Sequence, residues 1–268
     1  MDKIQDYNQI RNAIAAVKAH RKGLLTNFFI GESRCNLLIT KGLLHIVDFN
    51  QCVFILHEDH HFYHIYYIST DIDALSESFE KIFSQYQSFI WVIDIIGIDN
   101  HLLSSLCEQH GFEKYVSLTR MSRIKNISLS QESDSRVKYA TIAEEEQIVE
   151  LLENHFDKYS EQIPVREEIT EWIKGNRIIT ITEQSRVIGF IIFEINGVTS
   201  FLRYWFTHPE YRDRKIGSAL LRRFFHECRY TKRQLFWVID TNNNAIARYK
   251  HYGFEFEQMY DQVMIKKI

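Results

Sequence analysis

The chain has 268 residues, of which 45% are hydrophobic and 25% are charged, and its formal net charge is -3 at pH 7. These values are typical of a globular protein long enough for two domains, and the charge balance gives no reason to expect nucleic acid. No apolar run approaches a membrane span, and the polar first residues lack the apolar segment of a signal peptide. We therefore expect a cytoplasmic protein without a membrane or nucleic-acid partner.

Cysteine usage argues against both disulfide bonds and a zinc site. The four cysteines form no Cys-x-x-Cys pair and have no regular spacing; they are Cys35, Cys52, Cys107 and Cys228. Such a pattern indicates neither a disulfide framework nor a set of zinc ligands. We expect reduced thiols that pack as small apolar groups.

The first half of the chain predicts alternating helices and strands. Apolar residues at helical spacing predict helices over Tyr7–Ala19, 74–86 and 100–109. Runs rich in β-branched and aromatic residues predict strands over 43–49, 52–57, 62–68 and 89–95, and a last one from residue 112.

Four histidines in this half suggest a metal site, namely His57, His60, His61 and His64. They lie on two predicted strands around a polar turn at residues 58–60. Because side chains alternate between the faces of a strand, neighbouring histidines should point to opposite faces. We therefore expect no metal ion.

A polar, serine-rich stretch at residues 125–136 separates two strand-like runs. This composition is typical of a linker. It predicts one domain over residues 1–126 and another over residues 136–268.

The second half predicts an α/β domain. Its predicted strands cover residues 137–142, 177–182, 187–195, 200–206 and 235–240, with two more strands closing the chain. Its predicted helices cover residues 144–156, 165–174, 218–229 and Asn243–His251. The pair Asn196-Gly197 predicts a hairpin turn between two of the strands.

The two halves share short sequences in the same order. Trp91-Val92-Ile93-Asp94 recurs at residues 237–240, and Gly111-Phe112-Glu113 recurs at residues 253–255. Two ordered matches, each beside a predicted strand and helix, indicate tandem copies of one fold.

The most informative stretch follows the strand predicted over residues 200–206. Pro209 ends that strand, a basic loop follows, and Gly217 opens a helix. Unpaired N–H groups and the positive end of the helix dipole converge at such a turn, which favours a phosphate. Neither a Walker A pattern nor Gly-x-Gly-x-x-Gly is present, so the usual nucleotide fingerprints do not apply.

This loop resembles the pyrophosphate loop of the GNAT superfamily of acetyl-CoA-dependent N-acetyltransferases, written Arg/Gln-x-x-Gly-x-Gly/Ala. Here it runs from Arg212 to Gly217, with Lys215 at the first glycine. The lysine costs backbone freedom if the position needs a positive φ, but it adds a cation beside a diphosphate. A second family pattern, Asn-x-x-Ala followed by a tyrosine and Gly-Phe, is matched by Asn242, Ala245, Tyr249, Gly253 and Phe254.

The resemblance implies an α/β protein of two tandem GNAT-like domains, each a mixed, mostly antiparallel sheet flanked by helices. It implies a catalytic domain over residues 136–268 and a degenerate copy over residues 1–126. The first copy has Asp71 and Asp73 where the family's loop has cations. Carboxylates there would repel a diphosphate.

The resemblance also implies acetyl-CoA as co-substrate and assigns residues to it. The backbone of Phe206 and Thr207 would pair with the pantetheine arm, the loop would hold the diphosphate, and Tyr249 would be the proton donor to the departing thiolate. The complete set of implied binding residues is Phe206, Thr207, Arg212, Asp213, Arg214, Lys215, Ile216, Gly217, Ser218, Asn242, Ala245 and Tyr249.

The implied reaction is acetyl transfer to a primary amine by direct attack in a ternary complex, with a small-molecule or peptide acceptor. Glu194, His208 or a chain of water molecules would act as the general base, and Arg203 would bind an acceptor carboxylate or remain a solvated strand residue. Two alternatives stay open: a non-catalytic acyl-CoA-binding or scaffold protein, and a transferase of the same fold with another acyl donor.

Overall fold

The computed structural model describes residues 1–124 and 134–267, apart from the side chain of Asp213. These residues form two compact units. Unit 1 combines Met1–Leu118 with Gln258–Ile268, and unit 2 comprises Thr119–Glu257. Most of the predicted linker lies at residues 125–133, outside the described residues.

The first half of the chain supplies four helices and seven strands within the described residues. The helices are α1 Tyr7–Ala19, α2 Glu32–Thr40, α3 Ile72–Gln85 and α4 His101–Gln109. The strands are β1 Asp2–Lys3, β2 Leu25–Thr26, β3 Leu44–Asp48, β4 Cys52–Asp59, β5 Phe62–Ser69, β6 Ile90–Gly97 and β7 Glu113–Arg123.

The second half repeats this pattern. Its described helices are α5 Glu145–His155, α6 Arg166–Lys174, α7 Ile216–Glu227 and α8 Asn243–His251. Its strands are β8 Val137–Tyr139, β9 Ile178–Glu183, β10 Arg186–Asn196, β11 Thr199–Thr207, β12 Arg233–Ile239 and β13 Glu255–Lys266.

Both units have the same strand order. Unit 1 runs β1, β3, β4, β5, β6 and β13, with β2 beside β5. Unit 2 runs β8, β9, β10, β11, β12 and β7. In each unit, the fourth and fifth strands run parallel. The first four strands of each sheet pair antiparallel, as do β2 with β5 and β6 with β13. The last position in each sheet is therefore filled by a strand from the other half of the sequence.

Helices pack against the sheet of each unit and cover both faces in unit 2. In unit 2, α7 buries Leu220 and Phe224 against one face, and α5 and α6 bury Ile148 and Ile169 against the other. In unit 1, α3 places Phe79 in the equivalent core beside α4. Burial of these apolar side chains is the main stabilising term of such layers.

The repeated sequences occupy equivalent places. Trp91 lies on β6 and Trp237 on β12, the fifth strands of their sheets. Gly111 and Gly253 follow α4 and α8 with φ of +83° and +82°. Only glycine adopts this backbone conformation without strain, which explains why it recurs.

Three features differ from the sequence-based expectations. The chain closes with the single strand β13 rather than with two, because residues 255–266 contain no turn-forming pair. Helix α2 was not predicted; it is short and starts at Gly31 without a side-chain cap. Short strands β1 and β2 were also missed.

The histidine prediction was wrong for one pair. His57 and His64 are directly opposite each other on the β4–β5 hairpin, and their stacked rings lie 6.3 Å apart. Cross-strand partners share a face. Both rings are buried, and this burial lowers the pKa of His64 to about 3 and that of His57 well below its usual value. The described residues contain no group of three or more His, Cys, Asp or Glu side chains suited to a metal ion.

All four cysteines are buried and free. Burial raises the pKa of each thiol, to about 11 for Cys35 and to about 12 for the other three. Within residues 1–124 and 134–267, no helix combines the length and the apolar character needed to cross a membrane.

A pair of buried carboxyl groups in unit 1 yields a prediction about pH. Asp94 lies on β6 and Asp261 on the adjacent β13. Burial raises the pKa of Asp261 well above its ordinary 3.8, and the charge of Asp94 raises it further. The folded state therefore holds this proton more tightly than the unfolded state. Protonated Asp261 therefore stabilises the folded state fully below about pH 3.9, the ordinary pKa of an aspartate in the unfolded chain. This stabilisation is lost as the pH rises through the raised pKa of Asp261 in the folded state.

We expect the free energy of unfolding of Asp261→Asn to depend less on pH than that of the natural protein, because the amide cannot ionise. Urea unfolding between pH 4 and 8 measures this difference. The exposed Asp240→Asn variant is the control and should follow the natural protein. Parallel curves for Asp261→Asn and the natural protein would contradict the account.

Candidate functional site

Strands β11 and β12 separate after a short pairing. Thr199–Phe201 pair in parallel with Arg233–Leu235, yet β11 continues to Thr207 and β12 to Ile239. Among the described residues, β12 therefore leaves one edge of β11 without a backbone partner over residues 202–207. Its backbone N–H and C=O groups are available to a ligand with amide groups of its own.

A β-bulge lies where the separation begins. Ile192 is opposite Tyr204, whereas the next residue, Phe193, is opposite Leu202, so Arg203 is the extra residue on β11. A bulge bends its strand and increases the local twist. This bulge lies just after the last residue of β11 that pairs with β12.

The open edge of β11 leads to the start of helix α7. After Thr207 the chain makes a 3₁₀ turn over Pro209–Arg214, and Lys215 then adopts a left-handed conformation with φ of +58°. No side chain caps α7. The first N–H groups of a helix have no partner within it, so the amides of residues 216–218 can bind an anion.

Unit 1 has a different arrangement at the equivalent helix. There the carboxylate of Asp71 caps α3 and accepts a hydrogen bond from the Ala74 amide at 2.9 Å. This bond lowers the pKa of Asp71, which favours its charged form. A capped and negatively charged helix start repels a phosphate.

Close packing explains two glycines of the site. A Cβ added to Gly217 would lie 3.2 Å from the Trp205 ring and 3.3 Å from Thr207 Oγ1. A Cβ on Gly189 would lie only 2.7 Å from Ile216 Cγ2. Helix α7 therefore starts directly against β10 and β11, which places its amides at the end of the open edge.

The predicted cations of the loop differ in their surroundings. Arg212 and Lys215 are exposed. Arg214 pairs with Glu183 at 3.0 Å and lies 4.8 Å from the centre of the Tyr211 ring. The side chain of Asp213 lies outside the described residues.

Several predicted binding residues can contribute only backbone groups. The side chain of Ile216 is buried in the core beneath α7, and that of Phe206 packs against Phe190 with ring centres 5.4 Å apart. Thr207 and Ser218 are partly buried beside the helix start.

Helix α8 positions the other predicted residues on one face. Asn242 is exposed and caps the helix, since its Oδ1 accepts a hydrogen bond from the Ala245 amide at 3.2 Å. Ala245 and Tyr249 are partly buried and pack against the core of unit 2.

Tyr249 contacts both of the separating strands. Its ring centre lies 5.5 Å from that of Trp205 on β11 and 4.1 Å from that of Phe236 on β12. Burial raises the pKa of Tyr249 to about 12, and the negative charge of Glu161 contributes to this rise. The phenol therefore keeps its proton at neutral pH.

The two residues predicted as candidates for the general base, His208 and Glu194, lie outside the unpaired stretch of β11. His208 caps the 3₁₀ turn, accepting from the Glu210 amide at 3.4 Å, and its Nε2 lies 2.8 Å from an Arg186 nitrogen. Glu194 is opposite Phe201, before β11 separates from β12. The electrostatic influence on Tyr249 instead comes from Glu161, which no motif in the sequence marks.

Comparisons with known proteins agree with this geometry. The model of the acetyltransferase (GNAT) family matches residues 145–254. The chain is similar in structure to a GCN5-related N-acetyltransferase from Sphaerobacter thermophilus, with a TM-score of 0.60, 13% identity, and coverage of 96% of this chain and 91% of that one. None of the curated proteins matches the sequence significantly.

Two further solved structures support the same fold. One is an acetyltransferase from the GNAT family of Colwellia psychrerythraea, with a TM-score of 0.58, 11% identity, and coverage of 100% and 98%. The other is a tandem GNAT protein from the clavulanic acid biosynthesis pathway, with a TM-score of 0.60, 10% identity, and coverage of 96% and 93%. The predicted α/β fold with two tandem GNAT-like units is thereby confirmed.

The left-handed Lys215 yields a prediction about stability. A side chain in this conformation costs roughly 1–2 kcal/mol, whereas glycine adopts it freely. We expect Lys215→Gly to be more stable than Lys215→Ala by about 1 kcal/mol. Both variants remove the cation, so their difference isolates the backbone effect. Urea unfolding measures it, and equal stability of the two variants would show that residue 215 is not left-handed.

Proposed function

We propose that the chain transfers an acetyl group from acetyl-CoA to a primary amine of a small-molecule or peptide acceptor, by direct attack in a ternary complex. One observation carries this proposal: the open edge of β11 ends at the uncapped start of α7. A strand edge can pair with an amide-containing arm, and a helix start can bind a diphosphate.

The residues present fit the coenzyme. Amides of Ile216, Gly217 and Ser218 would hold the diphosphate, and the positive charges of Arg212, Arg214 and Lys215 would neutralise it. Gly217 lets the start of α7 lie directly against Trp205 and Thr207, at the end of the open edge.

The open edge at Phe206 and Thr207 would pair with the pantetheine arm, and a backbone N–H there would polarise the thioester carbonyl. Asn242 and Ala245 would contribute to the same site from α8, which also carries Tyr249. While Oδ1 of Asn242 caps the helix, its Nδ2 remains able to donate to an amide of the arm.

Acetyl-CoA supplies an activated acetyl group as a thioester.

The pKa of Tyr249 determines which role it can have in the reaction. A thiol has a pKa near ~8.5, so a phenol with a pKa of about 12 is a weaker acid than the departing thiol. Tyr249 would therefore stabilise the developing thiolate mainly by donating a hydrogen bond, while solvent completes the proton transfer.

We further propose that residues 136–268 form the catalytic copy and residues 1–126 the degenerate one. The contrast between the uncapped α7 and the Asp71-capped α3 supports this assignment. A cytoplasmic location remains a prediction.

The Tyr249→Phe variant tests the proposal. We expect release of free thiol from acetyl-CoA, measured with a panel of amine acceptors, to fall by roughly 10²-fold because one hydrogen-bond donor is lost. Calorimetry should show that acetyl-CoA affinity is retained. The control is Tyr252→Phe, a nearby tyrosine that packs against Phe225 at a ring separation of 6.2 Å, and it should behave like the natural protein.

Three other results would count against the proposal. No heat with acetyl-CoA would exclude it as the donor and favour another acyl donor. Binding without turnover of any acceptor would favour a non-catalytic acyl-CoA-binding protein. Unchanged turnover in Tyr249→Phe would remove Tyr249 from the reaction.

A further inference from the structure

We infer that Glu161 is the general base that takes the proton from the acceptor amine. This assignment rests on the proposed acetyl transfer and supplies a group which that reaction requires. A primary amine of the lysine type has a pKa near ~10.4, so nearly every acceptor arrives with a proton that blocks its lone pair. A positioned acceptor for that proton accelerates such reactions.

A tight turn before helix α6 holds Glu161 in place. The Glu161 amide donates to the Asp157 carbonyl oxygen at 2.9 Å. Asp157 Oδ1 in turn accepts hydrogen bonds from the Tyr159 amide and from the Ser160 amide and hydroxyl, all at 3.0 Å. These bonds fix the backbone that carries Glu161.

The turn is also attached to β11. The Tyr204 hydroxyl donates to the carbonyl oxygens of Glu161 and Gln162, both at 2.9 Å. Tyr204 follows Arg203, the bulged residue at which the open edge of β11 begins. Glu161 is therefore anchored to the part of β11 where the strands separate.

The electrostatic surroundings of Glu161 match the chemistry. Burial, together with the negative charge of Asp157 and against the positive charge of Arg203, raises the pKa of its carboxyl to about 7. Its negative charge also raises the pKa of Tyr249, the proposed donor to the thiolate. A carboxylate with a pKa near the working pH is a suitable general base.

The reaction balances with these two residues. Glu161 accepts one proton from the acceptor's ammonium group. The amine lone pair then forms the C–N bond as the C–S bond breaks, and the bonding electron pair leaves with sulfur, which accepts a hydrogen bond from Tyr249. The nitrogen, which still carries one proton more than an amide nitrogen, releases that proton to solvent. Solvent also takes the first proton from Glu161 and protonates the thiolate, so that the products are the amide, the free thiol and one proton.

The Glu161→Gln variant tests this inference, because it keeps the shape of the side chain but cannot accept the proton. We expect kcat/KM for thiol release at pH 7 to fall by about 10²-fold or more. The acid limb of the pH profile, near pH 7 in the natural protein, should disappear. Calorimetry should show unchanged acetyl-CoA affinity. The control is Glu153→Gln, an exposed acid on α5, which should retain full activity.

A second variant and a spectroscopic measurement test the role of Glu161 by results other than a loss of activity. Asp157→Asn keeps the Oδ1 acceptor of the turn but removes a negative charge, so the acid limb should move to lower pH. Infrared difference spectra should show a protonated carboxyl band that titrates near pH 7 and is absent from Glu161→Gln.

The possible failures are distinguishable. Absence of acetyl-CoA binding by the natural protein would overturn the proposed function itself. Retained binding together with near-normal turnover in Glu161→Gln would overturn only the assignment of Glu161. Absence of the titrating band in the natural protein would also overturn that assignment, whatever the activity.

Discussion

The separation of β11 from β12 is the constraint on which the candidate site depends. The strands pair only through Phe201, and the bulge at Arg203 follows close behind. The gap leaves a strand edge open, and Tyr249 packs against Trp205 on one strand and Phe236 on the other. Without this separation, the ladder would occupy the edge, and no amide-containing ligand could pair with β11.

The two halves differ at the start of the helix that follows the fourth strand. Both have a parallel fourth and fifth strand and a helix after the fourth strand. In unit 2 that helix begins at a left-handed Lys215 with uncapped amides, whereas in unit 1 the Asp71 carboxylate occupies the helix start. The sign of one local charge thus distinguishes the two copies, while the apolar layers that determine the fold are retained.

The sequence predicts what depends on local patterns. Periodicity places α1 and α8 to the residue, and the loop and Asn-x-x-Ala patterns identify both ends of the candidate site. The sequence does not reveal that β7, from the first half, completes the sheet of unit 2, or that β13, from the second half, completes the sheet of unit 1. Strands that are far apart in the sequence pair without leaving a local signal. Glu161 was missed for a similar reason: its surroundings come from Arg203 and Tyr249, which are remote in sequence.

The central claim is that the open edge and the helix start bind one extended ligand. A crystal structure with coenzyme A tests it most directly. We expect diphosphate oxygens within hydrogen-bond distance of the amides of residues 216–218, and the pantetheine arm paired with the backbone of residues 202–207. A coenzyme bound elsewhere, or a structure of the complex in which β11 and β12 pair along their whole length, would contradict the account.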